Sequence, residues 1–303
     1  MKKLLVIFAH PDDESFGPCA ATLAKYAREG AAVHYLCATR GEAGTVASHF
    51  LDDHATIADL RTAELQRAAR ILGLADVHFL PYRDSGMTGA PDNNHPDSLY
   101  QTPLDEIAQA ITYFIQRIRP DVIITHDAYG WYGHPDHIKC YQAVRRAYEN
   151  LYGVDSGRGM PGNMPHLYVS TFPKWLLRLT ARLMPLTGRD PHRCGQNQDI
   201  DLTQIASWQV PAHAKINVRR YLDVKTSAAA CHASQLSLTE TQNPVMRYLV
   251  KRVEQVEYFQ RLFPLPAARE PITTDFFPST SSLRRNEMTL QTYQLSEREN
   301  IGL

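Results

Sequence analysis

The sequence predicts an α/β fold with a Rossmann-like, mostly parallel sheet flanked by helices and a variable C-terminal cap. Two observations predict it. Short apolar segments alternate with longer helical segments through the first 150 residues, and His/Asp-rich clusters follow two of the apolar segments directly. Strands that alternate with helices are typical of a parallel, doubly wound sheet. Ligands bind such sheets beyond the carboxyl ends of the strands, so we expect the two clusters to converge.

The first half of the chain is expected to contain four strands and four helices. A nearly continuous apolar run at 3–9 indicates a strand buried on both faces, and further strands are expected at 32–38, 77–80 and 122–125. The predicted helices lie at 17–29, 55–72, 103–119 and 138–151. Gly30 and Gly73 fit the ends of the first two helices, and Pro103 and Pro120 bracket the third.

The pattern weakens after residue 150. We expect a strand at 166–171, an amphipathic helix at 172–186, a small hairpin between 199–201 and 214–218, and helices at 219–232 and 244–262. The Trp- and Leu-rich segment 175–179 predicts a buried helix or pocket wall, with contact to a membrane surface as the alternative. The predicted organisation is a catalytic domain over 1–235, with a variable cap segment at 153–198. A C-terminal helix and an extended or partly disordered tail, 236–303, would pack on it.

Composition excludes several classes of protein. The 303 residues include 32 basic and 32 acidic residues, and without a basic block we expect no nucleic-acid partner. Five cysteines without CxxC spacing indicate a reduced compartment, and the short apolar N-terminal run does not resemble a signal peptide. No run approaches the ~20 apolar residues of a membrane span. We therefore expect a cytoplasmic location. The sequence is compatible with a homo-oligomer.

The first cluster, residues 9–14 (AHPDDE), follows the first predicted strand and carries one imidazole and three carboxylates. Burying these carboxylates together is costly unless a cation neutralises them. The second cluster, 132–137 (YGHPDH), follows the fourth strand. His10, Asp13 and His137 would supply the three ligands that a catalytic zinc takes while keeping one position open for water. Such a site also suits Fe²⁺.

The remaining polar residues of the clusters fit acid–base chemistry. Asp12 points away from the metal and is expected to act as general base towards a water activated by the metal. His134 would donate to the developing oxyanion or protonate the leaving amine. Asp136 is expected to hydrogen-bond a ring nitrogen of His134, and Tyr132 would add a second donor to the oxyanion.

Together the two motifs resemble the PIG-L/LmbE family of metal-dependent N-deacetylases. Further segments match in the family order: 39–44 (TRGEAG), 61–65 (RTAEL), 82–87 (YRDSGM) and 225–235. The resemblance spans about 4–154, resumes near 218–235, and at 83–87 is similar to the mycothiol-related branch. It implies zinc ligation by His10, Asp13 and His137, with Asp12 as base.

The resemblance also gives His134 the acid or oxyanion role and matches Tyr132 to a mobile tyrosine that polarises the carbonyl. It places Arg61 and Asp84 near the sugar. For Arg61, a surface ion pair with a helical neighbour such as Glu64 is the alternative. Glu42 would either bind substrate hydroxyls or order its glycine-flanked loop.

Three other residues have two interpretations each. Glu14 is expected beside His10 or as a helix N-terminal carboxylate. His126 would either support the metal ligands or be a structural histidine. His232, followed by Ser234 and Gln235, is expected at an edge of the site, with a packing role in the helix at 219–232 as the alternative.

The sequence therefore predicts zinc-dependent hydrolysis of an N-acyl amide on a small amino sugar or glycoconjugate. The acyl group expected first is acetyl. An amidase that cleaves a thiol-sugar conjugate by the same chemistry is the nearest alternative. A non-catalytic sugar-binding homologue is a second alternative, although no GxGxxG motif follows the first strand. A metallophosphoesterase would need more ligands than His126 adds.

Overall fold

The computed structural model describes residues 1–153, 164–194, 198, 200–208, 210–236, 252–267 and 270–277. Over these residues the chain forms one seven-stranded sheet in the order β3-β2-β1-β4-β5-β7-β6. The strands are β1 (Lys3–Phe8), β2 (Ala32–Cys37), β3 (Asp76–Phe79), β4 (Val122–Thr125), β5 (His166–Thr171), β6 (Ala214–Asn217) and β7 (Val256–Phe263). The first five pair in parallel, whereas β7 runs antiparallel to both β5 and β6. The predicted α/β fold is confirmed.

Helices cover both faces of the sheet. They are α1 (Asp13–Phe16), α2 (Ala20–Arg28), α3 (Ile57–Leu72), α4 (Leu104–Ile118), α5 (Gly130–Gly133), α6 (Pro135–Tyr152), α7 (Lys174–Leu183), α8 (Leu202–Ser207) and α9 (Leu222–Ala229). On one face, Ile111 of α4 and Val144 of α6 pack against Leu5 and Ile123. On the other face, α2 packs against the alternate residues of the same strands. This two-sided burial explains why β1 and β4 are apolar throughout.

The predicted strands of the first half and the strand at 166–171 are confirmed within one residue. The helix expected at 17–29 is present as α2 but begins at Ala20, and the short helix α1 precedes Gly17. A Cβ at Gly17 would lie 2.3 Å from the Asp13 carbonyl oxygen, so the close packing there requires glycine. The helix expected from residue 138 begins earlier, because Pro135 suits its first turn.

Two predictions for the second half are wrong. The helix expected at 244–262 lies partly outside the described residues, but Val256–Phe263 is strand β7. Every second residue of β7 is buried, and two of these buried residues are the charged Glu257 and Arg261. The alternation of apolar and polar residues that indicates a strand is therefore not visible in the sequence. The hairpin between 199–201 and 214–218 is not formed as expected, since β6 pairs with β7 while Asp201 caps the N-terminus of α8.

The expected burial of segment 175–179 is also wrong. Helix α7 forms as expected but leaves Trp175 56% and Leu179 41% exposed. The tail is extended as far as the structure describes it, with Thr273 bridging Ala214 and Phe276 buried. None of the described helices combines the length and apolar character needed to cross a bilayer.

The position of β7 inside the sheet predicts a large stability effect from its core residue. Phe259 is fully buried and meets the ring of Phe276 at 5.0 Å. Phe259→Ala is expected to lower the free energy of unfolding by about 3 to 5 kcal/mol, because it leaves a cavity in the core. Urea denaturation measures the change. The matched control Gln260→Ala should cost less than about 0.5 kcal/mol, and equal effects of both variants would contradict the sheet order.

Candidate active site

The carboxyl ends of β1 and β4 lie side by side and bring the two polar clusters together. Nδ1 of His10 lies 3.1 Å from Nε2 of His137. Asp13 completes the group, with one carboxylate oxygen 3.3 Å from His137 Nε2 and the other 3.8 Å from His10 Nδ1. All three side chains are buried. The predicted convergence is therefore present.

The three donors suit a divalent cation. A tetrahedral zinc about 2.0–2.1 Å from each ligand needs donor atoms roughly 3.3 Å apart, close to the separations found here. His137 also belongs to two wider buried groups of possible ligands, one with His10 and His134 and the other with Asp13 and His126. Although burial opposes it, His137, His126 and His10 hold the pKa of Asp13 well below its usual range. An ionised carboxylate is the form that a metal needs.

Two further carboxylates fix the orientation of His10. Its Nε2 lies 3.2 Å from Asp136 Oδ2 and 3.4 Å from Asp84 Oδ1. Metal-binding histidines commonly present their other ring nitrogen to a carboxylate in this way. The prediction that the Asp136 carboxylate orients His134 is wrong, because its Oδ2 contacts His10 and accepts from the Ser85 backbone N–H at 2.9 Å.

Asp12 has an unusual backbone conformation beside these ligands. Its φ of 114° is in the left-handed region, which costs a non-glycine residue about 1–3 kcal/mol. The Arg61 guanidinium donates to Asp12 Oδ2 at 2.9 Å and to the Pro11 carbonyl at 2.6 Å. Burial raises the pKa of Asp12 to about 6, although Arg61 acts in the opposite direction. The strained backbone and the ion pair aim this carboxylate into the cavity.

Arg61 is buried, and its alternative role as a surface partner of Glu64 is wrong. Its Nη1 donates to the Gly41 carbonyl at 3.0 Å, in addition to the contacts with Asp12 and Pro11. Glu64 instead accepts from the backbone N–H and the hydroxyl of Ser234, at 2.9 and 2.7 Å. One guanidinium therefore joins the loop after β1 to the loop after β2.

Glu42 holds two loops together. Its Oε2 accepts from the backbone N–H of Asp84 at 3.0 Å and of Arg40 at 3.3 Å. These bonds favour the loop-ordering alternative over contact with substrate hydroxyls. Asp84 itself lines the cavity, and its Oδ1 accepts from the Gly86 backbone N–H at 2.9 Å.

His134 caps the N-terminus of α6. Its Nδ1 accepts from the Asp136 backbone N–H at 3.1 Å, so the neutral ring carries its proton on Nε2. Burial and the neighbouring His10 and His137 lower its pKa well below the ordinary value. Tyr132 lines the same cavity, with its ring 5.0 Å from that of His137.

The sequence did not predict how Glu14 and His232 work together. Glu14 is fully buried, and its Oε2 accepts from the Asp12 backbone N–H at 2.9 Å. Its Oε1 lies 2.6 Å from Nε2 of His232, a residue just after α9. Glu14 therefore supports Asp12 rather than His10. The match of segment 225–235 to the family, together with the polar residues after His232, was the signal that this distant segment reaches the site.

His126 has a structural role. Its Nε2 accepts from the Ala9 backbone N–H at 3.0 Å, and its ring stacks on His137 at 3.9 Å between centroids. The imidazole therefore fixes the end of β1 against a predicted metal ligand.

Part of this site borders a cavity of about 470 Å³. The residues that line it come from the loops after β1, β2 and β3, from α3, from the chain just before α6, and from positions 200 and 235. They are His10, Asp12, Ala43, Gly44, Thr45, Arg61, Asp84, Gly86, Met87, Ala90, Pro91, Asp92, Tyr132, His134, Ile200 and Gln235.

Comparison with known proteins agrees with this geometry. A family model described as PIG-L, GlcNAc-PI de-N-acetylase, matches residues 5–148. A 1D-myo-inositol 2-acetamido-2-deoxy-alpha-D-glucopyranoside deacetylase of Thermobispora bispora is 34% identical, over 85% of this chain and 87% of the relative. One of the same name from Thermobifida fusca is 33% identical, over 91% and 99%. The chain belongs to the PIG-L family.

The PIG-L match contains both polar clusters, whereas His232 and Gln235 lie beyond it. The fold also resembles that of the N,N'-diacetylchitobiose deacetylase from Pyrococcus horikoshii. The TM-score is 0.54 at 20% identity, over 86% of this chain and 84% of that chain. At this identity the likeness establishes the fold alone.

The packing of Arg61 against this PIG-L loop predicts the effect of a single methyl group. A Cβ at Gly41 would lie 2.0 Å from Arg61 Nη1, so Gly41→Ala must displace the guanidinium. We expect kcat/KM for deacetylation to fall roughly tenfold to a hundredfold, since Asp12 loses its support.

Gly30→Ala is the matched control. Gly30 has a φ of +88°, similar to the +72° of Gly41, but has open space around it. Both variants carry about 1–2 kcal/mol of backbone strain, and Gly41→Ala should be destabilised further because it also displaces the buried Arg61 guanidinium. An equal loss of activity in the two would show that strain, not the position of Arg61, is responsible.

Proposed function

We propose that this chain hydrolyses the N-acetyl group of a small amino-sugar conjugate, with a glucosaminide of inositol as the preferred class. The observation that carries this proposal is that His10, Asp13 and His137 converge, and that His10 and the neighbouring Asp12 line the cavity. The curated relatives described above support the substrate class through their names. The reaction adds water across the amide, breaks the C–N bond and releases acetate and a free amine.

His10, Asp13 and His137 would hold the metal, for which we propose Zn²⁺, with Fe²⁺ as the alternative. When bound there, the ion supplies a Lewis acid that makes water a stronger acid. Asp84 and Asp136 keep His10 turned towards the ion by contacting its other nitrogen. The ligands are then held in place before substrate arrives, which lowers the cost of assembling the site.

Asp12 serves as the general base in this proposal. Its carboxylate lines the cavity and is held by Arg61 from one side, while Glu14 holds its backbone N–H. As water attacks the carbonyl carbon, Asp12 takes the proton that the water loses. Asp12 then gives this proton to the amine nitrogen when the C–N bond breaks, so the carboxylate returns to its starting form.

His134 is proposed to stabilise the oxygen of the amide rather than to deliver the proton. Because its Nδ1 accepts from the backbone of Asp136, the proton on the neutral ring is at Nε2. A neutral N–H is a suitable donor to a developing oxyanion. Tyr132 lines the cavity beside it and is the second proposed donor.

The cavity supports a substrate with several hydroxyl groups. Asp84, Asp92 and Gln235 place polar side chains around a space of about 470 Å³. A cavity at the lower end of the usual ~300–1,000 Å³ range fits a one- or two-ring ligand. Five free cysteines in the described structure support our proposal of a cytoplasmic location, and self-association stays a prediction.

Substitution of base and ligand should separate catalysis from metal binding. Asp12→Asn is expected to lower kcat by roughly 10²–10⁴-fold and to keep the metal, because the amide cannot accept the proton. His137→Ala should lose both activity and metal. Zinc content by atomic absorption and acetate release measure the two effects. An Asp12→Asn variant with full activity would disprove the proposed base.

A substrate panel tests the reaction itself. We expect zinc-dependent amine release from N-acetylglucosamine and faster release from its inositol conjugate, since the cavity contacts more of the larger ligand. The third member, a thiol-sugar conjugate, distinguishes the amidase alternative if it is cleaved fastest. The metal-free protein and the His137→Ala variant are the controls. Stoichiometric zinc binding without turnover of any member would contradict the proposed deacetylase.

A further inference from the structure

The outward face of α7 is apolar and exposed. Trp175, Leu179 and Leu183 are spaced four residues apart and therefore lie in one stripe along the helix. They are 56%, 41% and 38% exposed, and Leu186 in the following turn is 81% exposed. We call these four residues the α7 stripe. A contiguous exposed apolar surface commonly marks an interaction site.

The opposite side of α7 is already occupied by the protein. It packs against α8, where Ala181 is buried and Arg178 Nε donates to the Ala206 carbonyl at 3.0 Å. The helix is therefore anchored on its inner side. Turning the α7 stripe inwards would break these contacts.

Three arginines accompany the α7 stripe along the chain, and Asp190 is the first acidic residue after it. From Phe172 to Arg189 the sequence contains no acidic residue, and Arg178, Arg182 and Arg189 are exposed. Arg178 and Arg182 are one turn apart, so their like charges repel each other. A negatively charged surface would relieve that repulsion. An apolar stripe flanked by arginine is typical of helices that lie in the plane of a membrane interface.

We propose that the α7 stripe docks on the surface of an anionic lipid bilayer. Trp175 and the three leucines enter the boundary between headgroups and acyl chains, while Arg182 and Arg189 contact lipid phosphates. This mode of binding needs no membrane-spanning helix. It does not depend on the proposed deacetylase activity.

The docked surface belongs to the same part of the chain as one wall of the cavity. Ile200 lines the cavity, and Asp201 next to it caps α8, the helix on which α7 rests. Two packed helices, α7 itself and α8, therefore connect the α7 stripe to this wall. Docking would hold the catalytic cavity close to the lipid surface.

Vesicle sedimentation with the full chain tests the proposal. We expect the protein to sediment with vesicles of phosphatidylcholine and phosphatidylglycerol in equal parts, and much less with phosphatidylcholine alone. Added salt should weaken the binding, because part of it is electrostatic. Trp175 should become shielded from acrylamide on binding, and Trp175→Phe should remove this change.

Paired variants identify the surface. Leu179→Ser/Leu183→Ser should weaken vesicle binding about tenfold or more, and Arg182→Gln and Arg189→Gln about fivefold each. The matched control, Ile71→Ser/Leu265→Ser, changes two other exposed aliphatic side chains and should bind like the parent protein. Unchanged thermal unfolding of the leucine variant establishes that it is folded.

Three results would overturn the proposal. The first is that the parent protein sediments equally well without anionic lipid, or that the leucine variant sediments as well as the parent protein. The second is a dimer that becomes a monomer when Leu179 and Leu183 are changed, which would assign the α7 stripe to a second copy of the chain. The third is a Trp175 already shielded from acrylamide without vesicles, which would mean that another segment of this chain covers it.

Discussion

Buried ionisable side chains cluster at the carboxyl ends of β1 and β4, and the rest of the structure depends on keeping each of them paired. A buried charge costs several kcal/mol unless an opposite charge or hydrogen bonds compensate it. The loops after β1, β2 and β3, the helices α3 and α6, and the segment after α9 each contribute a partner. The groups concerned are His10, Asp13, Glu14, Arg61, Asp84, His134, Asp136, His137 and His232.

The contacts among these buried side chains form two sets. Asp84 and Asp136 meet His10 on the side away from His137, so they support the predicted metal ligands. Arg61 and Glu14 instead meet Asp12, from its side chain and its backbone respectively. The proposed base and the proposed ligands are thus held by separate partners, although Asp12 and Asp13 are adjacent in sequence. The backbone between the two sets of contacts is left-handed at Asp12, with a φ of 114°.

The sequence predicted the first half of the fold and the approach of its two clusters, since apolar strands and their polar ends are local signals. The partner of Asp136 could not be predicted, because it depends on how the strand ends are spaced in three dimensions. Strand β7 was misread as helix, since Glu257 and Arg261 occupy buried positions and break the apolar alternation. The exposure of α7 was missed because an amphipathic pattern specifies which residues share a face and leaves open whether that face is covered.

The place of β7 in the sheet has a consequence for synthesis of the chain. In the described structure β6 pairs with β7, so it has no neighbour until some 40 residues later in the sequence. Glu257 of β7 also accepts from the backbone N–H groups of Ala21 and Thr22, at the start of α2. A helix made early on the ribosome therefore receives its final hydrogen-bond partners only when the last strand emerges. Until then, the nascent parallel sheet has an open edge at β5, and this is where premature pairing with another chain would begin.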